Sequence, residues 1–214
     1  MKKISILTPT YNEADNIKNL CESIEKEMHK LDYDYEHVVI DNASTDGTVE
    51  ILRNLCTKNK KLKVILNNRN YGHLNSPYYG ILQTNGDATI YINSDFQDPP
   101  ELIPELIKKH EEGFDVVHTV RTKRKGEGKF RMLVTKIAYH IINFLSDINL
   151  PIEAGDYKLI SRNALNKILD QKEFRPYVRG LSVWVGFKQS FCYYERQARG
   201  FGESKMPLLS SGPV

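Results

Sequence analysis

The sequence predicts an α/β fold with a mostly parallel central sheet and helices on both faces. Three observations carry this. Short runs rich in Ile, Val, Leu, Thr and Tyr recur through the first 120 residues. Segments with apolar residues at helical spacing separate them. The connections are short, and strands joined through helices pair in parallel.

Each element has its own signal. Ile4 to Pro9, "ISILTP", reads as a buried first strand. The next segment places Ile17, Leu20, Cys21, Ile24 and Met28 on one helical face. "HVVID", His37 to Asp41, is a second strand, and "TVEILRNL" a second helix. Lys63 to Leu66 is a third strand, followed by a helix from about Ser76 to Gln83. "ATIYI" is the fourth strand, "PELIPELIKKH" a helix and "FDVVHTV" a fifth strand.

The pattern changes after Val120. Residues 121–136 hold seven basic side chains and one acid, Glu127, beside Gly126 and Gly128, which reads as a mobile basic loop. "MLVTKIAYHIINFL" then reads as an amphipathic helix. The last 60 residues are less regular, and Pro207 to Val214 looks like a frayed or artificial end.

Composition narrows the function. The 214 residues suit one domain with a sizeable core. With 27% charged and 40% hydrophobic residues, the balance is that of an ordinary globular protein. A net charge of +3 is too small to imply nucleic acid. Cys21, Cys56 and Cys192 match no zinc spacing and no disulfide framework, so a reducing cytoplasm is expected. The start lacks the apolar core of a signal peptide. No run approaches the roughly 18 apolar residues of a membrane span.

Chemistry concentrates at "YINSDFQDPPE", Tyr91 to Glu101. A buried strand ends there in Asn93, Ser94, Asp95, Phe96, Gln97 and Asp98. Oxygen ligands at such a strand end suit a hard divalent cation. The crevice outside strand C-termini is where open α/β sheets bind nucleotides. Chemistry on a metal-bound diphosphate follows. An ordinary strand-to-helix turn, with Asp98 as N-cap and Pro99 at the first helical position, explains the same residues. Both hold if Asp98 caps while Asp95 and Gln97 face a cleft.

Two further strand ends carry polar groups. In "TPTYNEADN", Asn12 can cap the following helix, which leaves Thr10, Tyr11 and Glu13 at the sheet edge. Tyr11 can lie against a base and Glu13 can accept from a ribose hydroxyl; capping plus a core tyrosine is the plainer account. In "VIDNASTDGT", Ser44 or Asp46 can cap a helix. Turn chemistry explains everything there except Asp41, a carboxylate placed to accept from a base N–H.

Taken together, these segments resemble the family 2 glycosyltransferases, which have the nucleotide-diphospho-sugar transferase fold called GT-A. The matching pieces are "TPTYNEADN", "VIDNASTDGT", "NRNYGHLNSPYYGILQTNGD", "INSDFQDPPE", "GDYKLISRNAL" and "RQARGFGESK", in the family's order over almost the whole chain. "FQDPPE" and "GESK" look most like the branch that transfers sugars to polyprenyl (undecaprenyl or dolichyl) phosphate.

The resemblance implies a site residue by residue. Pro9, Tyr11, Glu13 and Asp41 would hold the nucleoside of a UDP- or GDP-sugar, with Asn93, Ser94 and Asp95 beside it. Asp87 would buttress the fourth strand. Asp95 and Gln97, with Asn93, would bind Mg²⁺ or Mn²⁺. Asp156 matches an acid near sugar and acceptor. Arg121, Arg131 and Thr135 match positions facing phosphates, and Arg199 and Lys205 belong to a closing C-terminal segment. Residues 1–206 would be one domain, with a donor half at 1–120 and an acceptor half at 121–206.

One departure matters. The acidic motif usually begins with Asp, and Asn93 stands there. An amide oxygen can ligate a cation but brings no charge. Metal affinity should drop, or Asp95, Gln97 and the diphosphate must carry the site. A nucleotide-sugar-binding homologue without turnover is the alternative of another class.

The implied reaction inverts the anomeric carbon through an oxocarbenium-like state. A lipid-phosphate acceptor is already largely ionised near pH 7, since such a second pKa is about 6. Asp156 would then orient it. A saccharide hydroxyl acceptor, the second enzymatic reading, would make Asp156 a base.

Lys123, Arg124, Lys125 and Lys129 are either a solvated surface or a contact with anionic lipid. The helix with Leu133, Ile137, Ile141 and Phe144 either lies on the interface or packs on the sheet. The resemblance favours the inner face of the cytoplasmic membrane. A homo-oligomer is compatible with all of this. The six histidines form no ligand spacing, and only His73 falls near the donor cleft. Trp184 reads as core rather than as a sugar platform.

Overall fold

The computed structural model describes residues 2–123, 154–173 and 176–195. The strands are β1 (Lys3–Thr10), β2 (Asp34–Asp41), β3 (Leu62–Leu66), β4 (Ala88–Tyr91), β5 (Val116–Lys123), β6 (Ala154–Ser161) and β7 (Gln189–Glu195). The helices are α1 (Ala14–Met28), α2 (Thr48–Lys58), α3 (Gly72–Leu82), α4 (Ile103–Glu111), α5 (Arg162–Leu169) and α6 (Val178–Trp184), with a 3₁₀ turn at Pro100–Leu102.

The seven strands form one sheet in the order β3-β2-β1-β4-β6-β5-β7. β1 pairs in parallel with β2 and β4, and β2 with β3. β6 is antiparallel to both its neighbours, β4 and β5, while β7 returns parallel to β5. The strand order reverses between β1 and β4, which puts a crevice at their C-terminal ends. Because β6 runs the other way, its first residues arrive at that same edge.

The apolar runs explain the layers. Ile4 and Ile6 of β1 pack with Leu20, Ile24 and Met28 of α1 and Ile103, Leu106 and Ile107 of α4. Leu7, Val38 and Ile40 pack on the opposite face with Ile81 of α3, Leu165 and Ile168 of α5 and Leu181 of α6. The five apolar positions expected on α1 are all buried, and each Ile, Leu or Met side chain among them contributes about 1.5–3 kcal/mol on burial. α3 lies so close to the sheet that a Cβ on Gly80 would meet Leu7 Cδ1 at 2.7 Å.

Several expectations shift. α3 starts at Gly72, not near Ser76, and Pro77 lies inside it. Ser76 lies inside the helix, and its Oγ accepts from Asn67 Nδ2 at 2.9 Å. Asn12 does not cap α1. Glu13 holds the cap position, and Asn12, at φ 52°, accepts from Thr45 N at 2.7 Å. Trp184 is not core but 55% exposed, because the seven-residue α6 meets the molecule through Gly180, Leu181 and Ser182. The less regular C-terminal region supplies two strands, one of them inserted mid-sheet.

Candidate functional site

The crevice is built from the ends of β1, β2, β4 and β5 and the start of β6. The loops after β1 and β2 are latched together. Asn12 N donates to Ser44 Oγ at 2.8 Å, and Glu13 N donates to Thr48 Oγ1 at 2.9 Å. Asp46 accepts from Ala14 N at 3.1 Å and from Thr48 N at 3.0 Å, so one carboxylate serves the starts of α1 and α2. Pro9 and Tyr11 stand half-buried on this platform. Glu13 is buried and accepts from Asn16 Nδ2 at 2.7 Å.

Asp41 sits beside Thr10 in the β1–β2 register. Its Oδ2 accepts from Ser44 N at 2.9 Å. Among the described residues, its Oδ1 and the Thr10 hydroxyl are buried without a hydrogen-bond partner. Buried polar atoms are nearly always satisfied, so two orphans side by side call for an external partner. A donor N–H on a ligand answers the carboxylate.

The loop after β4 holds the acidic motif. Asn93, Asp95 and Gln97 are half-buried and Ser94 is buried. Asp95 Oδ1 accepts from Gln97 N at 3.2 Å, and Phe96 adopts φ 58° to make this turn. Asp95 offers a carboxylate; Asn93 and Gln97 offer amide oxygens. Among the described residues no group of three or more His, Cys, Asp or Glu could hold a metal. This donor set fits Mg²⁺ or Mn²⁺ only when substrate oxygens complete the shell.

Asp98 does not cap a helix. It is fully buried, and Pro99 takes the cap position of the 3₁₀ turn. Asp98 Oδ1 accepts from Tyr194 OH and, at 3.4 Å, from Arg121 Nη2. Its Oδ2 accepts from Asn93 Nδ2 at 3.2 Å. A carboxylate this deep must be paired, and a guanidinium, a phenol and an amide pair it. Burial alone would lower the Arg121 pKa, but Asp98 and Tyr194 outweigh it and raise it. Burial and then Asp98 push the Tyr194 phenol up to about 12.

Asp156 lies on β6, two residues before Lys158, which pairs with Tyr91. It therefore stands beside the end of β4. Arg179 of α6 binds it with two bonds, Nη2 to Oδ2 at 2.8 Å and Nε to Oδ1 at 3.1 Å. A narrow cavity beneath is lined by Thr89, Tyr91, Lys158 and Arg179, among others. Lys158 is 2% exposed, and its Nζ donates to Ser182 Oγ at 3.5 Å. Burial, reinforced by Arg179 and opposed by Asp156, lowers its pKa to about 8.

The sequence expectations therefore divide. Pro9, Tyr11, Glu13, Asp41, Asn93, Ser94, Asp95, Gln97, Arg121 and Asp156 all come to the C-terminal edge of the sheet. Asp87 lies at the opposite edge, where its Oδ2 accepts from Lys3 N at 2.8 Å and ties β4 to β1. His73 is exposed in the first turn of α3. Arg131, Thr135, Arg199 and Lys205 lie outside the described residues, as do most of the basic run and the amphipathic helix after it. Sequence reasoning missed Arg179, Tyr194 and Lys158. The signal was a charged or aromatic residue inside an apolar run, as in "GDYKLIS" and "FCYYE".

Comparisons agree with this architecture. The family model for glycosyl transferase family 2 matches residues 5–169. An uncharacterized glycosyltransferase, YkcC of Bacillus subtilis, is 39% identical over 204 residues, covering 95% of this chain and 63% of its own length. A prophage bactoprenol glucosyl transferase homolog of Escherichia coli is 30% identical over 203 residues, covering 95% of this chain and 66% of its own. The chain thus spans a little under two thirds of these relatives. Among solved structures, glucosyl-3-phosphoglycerate synthase from Mycobacterium tuberculosis with Mn²⁺, uridine diphosphate and phosphoglyceric acid superposes with a TM-score of 0.65 at 19% identity. That match covers 94% of this chain and 72% of the other. A mannosyltransferase from Pyrobaculum calidifontis with GDP-Man and Mn²⁺ gives 0.61 at 16% identity, over 93% and 58%. At these identities the structural matches establish the GT-A fold.

Proposed function

Because the chain belongs to glycosyl transferase family 2, we propose that it moves a sugar from a UDP- or GDP-sugar to a polyprenyl phosphate, with inversion. The observation that carries the donor side is the orphaned, buried Asp41 Oδ1 at the strand ends. A uracil or guanine N–H would satisfy it. The bactoprenol relatives, at 30% identity over nearly the whole chain, favour the lipid-phosphate acceptor.

Roles follow from position. Pro9, Tyr11, Glu13 and Asp41 would hold the nucleoside. Asn93, Asp95 and Gln97 would hold Mg²⁺ or Mn²⁺ together with the diphosphate, beside Ser94. The cation, when bound, acts as a Lewis acid that neutralises charge on the leaving nucleoside diphosphate. Arg121 adds electrostatic stabilisation to the same charge. An ionised phosphate needs no base to become nucleophilic. Asp156, with both oxygens occupied by Arg179, would orient the acceptor or sugar. Arg131, Arg199 and Lys205 would supply further charge from outside the described residues. We assign the donor to residues 1–120 and the acceptor to 121–206, although β6 and β5 join both halves in one sheet.

Among the described residues no helix is long and apolar enough to cross a membrane. The acceptor's chemistry would bring the protein to the inner membrane face. Incubation with undecaprenyl phosphate, Mn²⁺ and each labelled UDP- or GDP-sugar tests the reading. Label extracted into organic solvent supports it. Label found only in water-soluble saccharide would favour a hydroxyl acceptor, and no metal-dependent donor turnover would leave a binding protein.

A further inference from the structure

Arg121 is held from two directions. It pairs with Tyr194 in the β5–β7 register, and its Nε donates to the Tyr194 hydroxyl at 3.1 Å. Its Nη2 reaches Asp98 Oδ1, which also accepts from Tyr194. The guanidinium crosses Gly155, where a Cβ would stand 3.1 Å from Nη2. A methyl there would crowd it, and the guanidinium would have to give by a few tenths of an ångström. Asp98 also holds Asn93, the first residue of the candidate cation loop. The side chain of Arg121 keeps 16% exposure while Asp98 has 1%, so the anchor is sealed and the cation is not.

Resting on the donor reading above, we propose that Tyr194 and Asp98 are positioning residues that aim the Arg121 guanidinium at the donor's diphosphate. A flexible arginine loses side-chain entropy when it meets a phosphate, and prior fixation removes that cost. Fixing it to the carboxylate that also holds Asn93 sets the two phosphate-facing elements in one frame. Tyr194 is 7% exposed, so it acts through Arg121 and not by touching the ligand.

The test is Tyr194→Phe, which keeps the ring and removes the hydroxyl. Affinities for UDP and UMP, and for GDP and GMP, are measured by calorimetry with Mn²⁺. Losing a hydrogen bond to a charged group should weaken diphosphate binding by about tenfold. Monophosphate binding should stay within about twofold. In an Arg121→Ala background the same substitution should add less than about twofold, because the residue it positions is gone. Equal losses for mono- and diphosphate, or full additivity with Arg121→Ala, would overturn the proposal and make Tyr194 a structural residue. If the wild-type protein binds none of the four nucleotides, the donor reading itself fails. If Tyr194→Phe is poorly folded by circular dichroism, Gly155→Ala replaces it, since the added methyl crowds Nη2 of the same guanidinium and should show a diphosphate-specific loss of the same sign.

Discussion

One guanidinium takes both oxygens of Asp156: Arg179 Nη2 lies 2.8 Å from Oδ2 and Nε 3.1 Å from Oδ1. The pair joins the inserted strand β6 to helix α6 at the rim of the crevice. It makes Asp156 a fixed group whose charge is shared with α6.

Asp156→Asn and Arg179→Ala should therefore act as one lesion. Each should keep donor affinity within about twofold and lower turnover by about 10²-fold through misplacement. The double variant should be no worse than either single one. With a phosphate acceptor, the pH–rate profile should follow acceptor ionisation in wild type and variants alike. A lost limb in Asp156→Asn alone would mark that residue as a base.

Asp95→Ala should abolish Mn²⁺-dependent binding of nucleoside diphosphate, because Asp95 is the charged member of the Asn93, Asp95 and Gln97 set. Calorimetry with and without Mn²⁺ checks this. Unchanged affinity would place the cation elsewhere.

Asn93→Asp should have opposite effects with and without metal. Asn93 Nδ2 donates to the buried Asp98 at 3.2 Å, and a carboxylate there would face another carboxylate. Without metal the melting temperature should fall by several degrees, as expected for about 1–2 kcal/mol in a chain of this size. Added Mn²⁺ should raise it more than in wild type, because the new ligand tightens binding to the native state. Equal Mn²⁺ shifts in the two proteins would exclude residue 93 from the coordination shell.

Lys158 makes stability depend on alkaline pH. Its pKa falls from 10.5 to about 8 on folding. Between those values the unfolded chain holds a proton that the native state lacks, so stability rises with pH across that window. The penalty is fully present below about 8 and relieved toward 10.5. Lys158→Met should stabilise the protein at pH 7 by up to about 3 kcal/mol, and the gain should vanish near pH 10.5. Denaturant titrations at pH 7 and pH 10.5 measure both limits. A gain that is independent of pH would mean that packing, not charge, is the cause.

Local pattern determined much of this protein. The first five strands, the apolar face of α1 and the placement of Asp41, Asp95 and Gln97 at strand ends follow from residue periodicity within short windows. Such windows decide whether a segment buries one face or two, and a strand's end is where its polar residues begin. The tertiary structure decided what no window contains. β6 carries Asp156 and Lys158 into the sheet, where Arg179 of α6 pairs with the half-exposed Asp156 and Ser182 of α6 accepts from the buried Lys158. Asp98 looked like a helix cap because its neighbours are prolines; Arg121 and Tyr194, from strands β5 and β7, make it a buried anchor instead. A charge inside an apolar run is read as a boundary until its partner is known, and that partner lies far away in the chain because strand order, not sequence order, sets who meets whom.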